Sequence, residues 1–241
     1  MYQFFSNERP SSNILFDISR GAITEGFMLH KFGANFDIDQ ADDPESVWTR
    51  GGLYPWASLA TAQTIYCIST SGSDTGTLTI EGLDANYKQQ TETITLTGAT
   101  AVATTNTFIR VFRMTYGDGV NVGTITARVT SGAGTVVAQI DIGYAQTLMA
   151  VYTIPAGFTA YMSTFDTTID GTKQCQMLMY QRLFDAPFRI AHIAEATGHY
   201  RYDFAAPFKI PEKTDIDIRI NNVSGNDARV TANFDLFLLK N

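Results

Sequence analysis

The feature that most constrains this chain is a two-residue alternation of apolar and polar side chains. It begins near residue 61 and recurs almost to the end. Successive side chains of a strand point to opposite faces, so this pattern fits half-buried sheet and cannot line one face of a helix. Over 76–82, Leu78 and Ile80 fall on one side and Thr77, Thr79 and Glu81 on the other. The alternation returns over 91–97, 108–114, 122–129 and 136–140, then over 147–153, 158–166, 174–182, 188–194, 214–221 and 229–239. Turn chemistry separates these runs: Asp84-Ala85-Asn86, Ser131-Gly132-Ala133-Gly134, Pro155-Ala156-Gly157, Gly171 and Gly225. Helical patterning is confined to 57–62 and 192–196. Many short strands at regular spacing predict an all-β fold of two β-sandwich, jelly-roll-like domains, over 61–145 and 146–241.

Residues 1–60 read differently. They are rich in Phe, Met, Leu and Trp but carry no sustained period, and 26–33 alternates poorly for a strand. The expectation is an extended arm that packs across its own sandwiches or a neighbouring subunit, with Asp42 or Asp43 capping a short helical turn at Pro44. Its candidate interface residues are Phe27, Leu29, Phe32, Trp48, Tyr54 and Trp56. Removing such an arm should leave two folded sandwiches that no longer assemble. The Trp48, Tyr54 and Trp56 rings have a second reading, as a platform on which sugars stack.

The composition narrows the partners. The 241 residues carry a formal net charge of −7, and charged residues make up 17%, below the roughly 25% of an average soluble domain. Arg and Lys are scattered singly, which argues against nucleic acid and anionic membranes as partners, since phosphate contacts need clustered cations. No apolar run approaches the ~18 residues of a membrane helix, and the N-terminus lacks the basic-then-apolar order of a secretion signal. The expectation is a soluble protein made in a cytoplasm. Cys67 and Cys175 sit in apolar runs and read as buried free thiols.

Motifs for chemistry are sparse. Asp74-Thr75-Gly76 matches the aspartic-protease triplet, but that mechanism needs two carboxylates sharing a proton, and the triplet here follows Ser71-Gly72-Ser73 rather than an apolar strand. His192, Glu195 and His199 offer a metal set without zinc-like spacing. The loop 117–121 offers Asp118 and Asn121 oxygens, fewer carboxylates than a calcium loop uses. Asp42, Asp43 and Glu45 form an acidic turn. Asp215 and Asp217 share a strand face that Arg219 continues, which pairs Arg219 with Asp217. The reading is a non-enzymatic protein with no cofactor, no metal and no catalytic residues.

Several segments resemble a group of virion proteins of tailed bacteriophages, many of them marine. They include Gly82-Leu83-Asp84-Ala85-Asn86-Tyr87, Thr91-Glu92-Thr93-Ile94-Thr95-Leu96-Thr97-Gly98, Gly52-Leu53-Tyr54-Pro55-Trp56, the run from Gln146 to Gly157, and Pro211-Glu212-Lys213-Thr214-Asp215-Ile216. The resemblance spans about residues 26–241, and its signatures are turns and strands rather than catalytic motifs. It implies a virion location and a homo-oligomeric capsid accessory protein, a decoration or knob, with a trimer among the states open to it and major capsid or tail proteins as partners. The alternative is a tail component or a receptor-binding module that recognises cell-surface glycans.

Overall fold

The computed structural model describes residues 14–41 and 44–241. One turn of helix, α1 (Ile14–Ser19), leads into β1 (Gly26–Ile38) and the short β2 (Glu45–Ser46). A 3-10 turn at Trp56–Leu59 precedes β3 (Gln63–Ser69), β4 (Thr77–Leu83), β5 (Gln89–Thr95), β6 (Val102–Phe108), β7 (Arg110–Tyr116), β8 (Ile125–Arg128) and β9 (Val136–Ile140). There follow β10 (Val151–Thr153), β11 (Phe158–Ile169), β12 (Gln174–Arg182), β13 (Arg189–Thr197), β14 (His199–Ile210), β15 (Asp215–Asn221) and β16 (Ala228–Lys240). The chain is all-β, as the alternation predicts.

The strands make four sheets. Those between residues 63 and 140 form one of order β6-β3-β8-β9 and one of order β5-β4-β7. The rest form a sheet of order β1-β16-β11-β14 and one of order β10-β15-β12-β13, with β2 beside β15. This second pair is the eight-stranded arrangement of a jelly roll. Its eight strands leave out the short β2; the first comes from residues 26–38 and the second from 151–153, so the other sandwich is inserted between them.

The segment 26–38 is therefore sheet, not arm. β1 pairs antiparallel with the C-terminal strand, from Gly26 opposite Leu239 to Asn35 opposite Val230. Its weak alternation has a physical cause. The inward side chains are Phe27, Leu29, Lys31, Gly33 and Asn35, which lie opposite Leu238, Leu236, Phe234, Ala232 and Val230. Three of these inward positions are small or polar. At Gly33 a Cβ would stand 2.2 Å from the Ala150 nitrogen and 2.4 Å from the Val47 oxygen. That contact closes the jelly roll on the side where β1 meets β2 and β10. A truncation through residue 45 would remove one of the two strands that flank β16, so it would not leave two intact sandwiches.

Other expectations shift locally. The 108–114 run is split at Ile109 between β6 and β7. The helical pattern at 192–196 is part of β13, where side-chain contacts across strands override local propensity. β14 gave no sequence signal because Phe204-Ala205-Ala206-Pro207 interrupts it. Opposite this stretch β11 carries a single residue between the Met162–Phe208 and Thr164–Asp203 pairs, which is a bulge. The expected turn at Asp42 and Asp43 lies outside the described residues.

The jelly-roll core packs Met162, Phe165, Met177, Met179, Ile216, Ile218, Phe234 and Leu236 between its sheets. The inserted sandwich packs Ile65, Cys67, Leu78, Ile80, Phe108, Met114, Ile125 and Ile140. Both cysteines are buried.

Candidate functional site

The outer face of β15 carries Asp215, Asp217 and Arg219, which reads as a solvated strand face. Instead it is the floor of the junction between the two sandwiches, and both carboxylates are buried. The residues 46–59 and the start of β7 cover it. Burying unpaired carboxylates would be costly, so each must be matched. Arg110 Nε donates to Asp215 Oδ1 at 2.8 Å and Arg110 Nη2 to Oδ2 at 3.1 Å. Arg182 Nε donates to Asp215 Oδ2 at 2.7 Å, and Thr153 Oγ1 to Oδ1 at 2.5 Å. The remaining Arg110 Nη1 donates to the Leu59 and Ile109 carbonyls. Burial alone would lower the Arg110 pKa, but the Asp215 carboxylate reverses that and holds it above its ordinary value.

Asp217 is held by a separate set. Ser46 Oγ donates to Oδ1 at 2.8 Å, and Trp56 Nε1 and Arg219 Nε donate to Oδ2 at 2.9 and 2.8 Å. Burial drives its carboxyl above the usual range, against the pull of Arg219, Trp56 and Ser46. The Arg219–Asp217 pair is the one the sequence suggested.

This junction absorbs half of the sequence-derived interface residues. Trp48 and Tyr54 are only 3% exposed, and Trp56 is buried beside them. Tyr54 packs edge-on to Trp48 at 5.2 Å and to Trp56 at 4.7 Å, and its hydroxyl donates to the Val111 carbonyl at 3.1 Å. The three rings bind the chain to itself, so they offer no platform to a sugar and no surface to another subunit. Phe27 and Leu29 pack half-buried against the jelly-roll core. Phe32 lies on the outer face of β1 beside the His30 ring, 5.6 Å away.

The other sequence motifs also resolve into structure. Asp74 is a buried staple: it accepts from Ser69 Oγ at 2.5 Å and from the Val122 and Gly123 amides at 2.7 and 2.8 Å. Burial raises its pKa, but these three donors outweigh that and hold it below the usual range. Asn121 bridges the Gly123 and Asp141 carbonyls and accepts from the Ala145 amide. Glu45 accepts from Asn35 Nδ2 and from the Gly52 amide. His192 bonds the Tyr200 hydroxyl, His199 bonds Asp166, and Glu195 accepts from Gln176, so the three do not converge. Among the described residues, Asp37, Asp39 and Asp227 are the group whose carboxylates converge, and the Asp227 amide donates to Asp39 Oδ1 at 2.8 Å. No sequence spacing signals that group, because 188 residues separate Asp39 from Asp227.

Among the described residues, two open surfaces bear on function. One is the side of the jelly roll opposite β1, where β13 and β14 are the free edges of the two sheets. Tyr200, Tyr202, Phe204 and Phe208 line that opening with His192. The His192–Tyr202 centroids are 4.9 Å apart and the Tyr202–Phe204 centroids 4.8 Å. Tyr202 is 41% exposed although its partner across the ladder, Phe165, is fully buried, and Ile193 on β13 is 53% exposed. The second surface is a cleft at the mouth of the Asp215 junction, of about 200 Å³.

No protein-family model and no curated protein matches the chain. Among solved structures, it is similar to the crystal structure of PBSX exported protein XepA, at 12% identity over 85% of this chain and 81% of that one, with a TM-score of 0.20. It is also similar to the structure of infectious bursal disease virus Gt strain, at 9% identity over 89% of this chain and 72% of that one, with a TM-score of 0.19. Likeness at this level carries no assignment of role.

Proposed function

We propose that this chain is a non-enzymatic structural subunit of a bacteriophage particle that acts as a homo-oligomer, with copies meeting along the β13–β14 side of the jelly roll. The observation that carries the reading is the asymmetry of the sandwich. One side is closed by the backbone contact at Gly33. The other leaves two unpaired edges and partly exposed core aromatics. Free edges and open apolar surface invite another chain, and natural folds blunt or cover them. The bulge at 204–207 and Pro207 block simple strand addition along β14, which favours side-chain packing over an extended sheet. Exposed Arg189, Arg201 and Lys209 alternate with Glu195 and Asp203 along these strands. Both signs on one side suit an isologous contact, in which a patch meets itself. The sequence resemblance to phage virion proteins supports the location, and the thin surface charge suits a chain buried in an assembly.

The test is light scattering after size exclusion on the wild type and on Tyr202→Asp with Ile193→Asp, together with peptide counting in purified particles. The wild type should run as a discrete oligomer and the double variant as a folded monomer. Copy number in the hundreds would place the protein on the shell, and a few to dozens on the tail. A monomeric wild type, or an unchanged oligomer in the variant, would reject the β13–β14 contact. Absence from particles would reject the virion role.

A further inference from the structure

The cleft at the mouth of the Asp215 junction is more than leftover space between domains. Its floor is Asp215 with Arg110 and Arg182, and its walls bring Tyr87 from the β4–β5 turn against Phe184 from the β12–β13 loop. Lys213 closes it from the turn before β15. Asp215 is satisfied by the two guanidinium groups, so it offers nothing further to a ligand. Lys213 Nζ has no hydrogen-bond acceptor among the described residues. It is held over the Phe184 ring at 4.8 Å and the Tyr87 ring at 5.8 Å. The Arg182 side chain, 27% exposed, directs Nε and Nη2 at Asp215 and leaves Nη1 without a described acceptor. With Asp185 at the rim, the three cations of the cleft outnumber its two carboxylates, in a chain whose net charge is −7. A concave site with that excess focuses an anion toward its floor.

Three further observations point to a ligand larger than a simple ion. Phe184 is 52% exposed at the rim and presents its ring beside the cleft, edge-on to Tyr87 at 5.8 Å. Three of the lining residues, Tyr87, Asp185 and Lys213, have φ of 62°, 56° and 58°. Left-handed backbone is unfavourable for residues with a Cβ, and such conformations gather where a side chain must be aimed. Here all three aim at one small space. The volume corresponds to about seven waters of liquid, beyond a carboxylate or phosphate alone and close to one sugar ring.

We infer that this cleft binds a carboxylate-bearing monosaccharide unit. The carboxylate bonds Lys213 Nζ and the free Nη1 of Arg182, the apolar face of the ring stacks on Phe184, and the Tyr87 hydroxyl and Asp185 meet the sugar hydroxyls. The inference stands whatever the assembly state, since no part of it uses the β13–β14 edges.

The experiment titrates the full chain with glucuronate by calorimetry and by ligand-observed NMR, with glucose, acetate and inorganic phosphate as separate arms. Glucuronate should bind saturably, about tenfold or more tightly than each of the other three, and more weakly at high salt. Lys213→Gln should weaken glucuronate about tenfold, the loss of one charged hydrogen bond. Phe184→Ala, at an exposed loop position, should weaken glucuronate and leave acetate unchanged, and it keeps the test decisive if Lys213→Gln does not fold. No saturable glucuronate binding, phosphate or acetate binding as tight as glucuronate, or unaltered affinity in Phe184→Ala would each overturn the proposal.

Discussion

Lys31 allows a quantitative test of how the jelly roll holds its inserted partner. It sits on the inner face of β1, nearly inaccessible, and its ammonium donates to the carbonyl of Phe112 in the inserted sandwich. Burial, aided by the nearby Arg113 and opposed by Glu81, lowers its pKa from 10.5 to about 7. The unfolded chain keeps this proton up to about pH 10.5, whereas the folded chain loses it near pH 7. Between those values the unfolded state binds more protons, so stability rises with pH. Below pH 7 both states are charged and the penalty is complete. For these two pKa values, the linkage relation makes the Lys31 contribution about 2 kcal/mol more favourable at pH 8.5 than at pH 6. Cys67 acts in the opposite sense at higher pH. Burial pushes its thiol from 9.0 up to about 12, so the unfolded chain ionises first and stability falls above about pH 9. The comparison therefore stops at pH 8.5. Lys31→Met keeps the length and removes the charge. Urea unfolding of wild type and variant at pH 6, 7 and 8.5 should show the variant gaining stability relative to wild type most strongly at pH 6. That gain is reduced by about 1–3 kcal/mol for the unpaired Phe112 carbonyl at every pH. The difference between the two proteins should shrink by about 2 kcal/mol by pH 8.5. Parallel pH profiles would refute the reasoning, because the charge would then not be buried in the folded chain.

Two further perturbations probe the same architecture. Arg110→Met leaves Asp215 buried with Arg182 and Thr153 alone, and should cost about 3–5 kcal/mol in chemical unfolding. Arg110→Met combined with Asp215→Asn should recover part of that loss, and strict additivity would show that the two side chains do not act as a pair. Gly33→Ala forces a methyl group onto the Ala150 and Val47 backbone and should lower stability by about 1–3 kcal/mol, read as a fall in melting temperature. An unchanged melt would mean that β1 does not approach β2 and β10 as described.

Period-two alternation was enough to establish an all-β chain, most of its strands and the pairing of Arg219 with Asp217, because alternation is a local property written into consecutive residues. It did not single out β2, β3 or β6, and three further features escaped it for reasons the structure shows. β1 was hidden because its inward positions include Lys31, Gly33 and Asn35, chosen by close contact with β2, β10 and the inserted sandwich rather than by burial in a uniform core. β14 was hidden because a four-residue bulge breaks its rhythm. The polar face of β15 looked like a solvent face because alternation reports only that polar side chains share a side, not what covers them. Likewise, the Trp48, Tyr54 and Trp56 cluster was visible as a cluster, but whether it faced a subunit, a sugar or the chain's own second domain depended on where β7 and β15 came to lie. The sequence by itself determined which residues alternate and where they turn. Only the tertiary structure decided which edges stay open and which charges meet, because those depend on contacts between residues more than a hundred positions apart, such as Arg110 with Asp215.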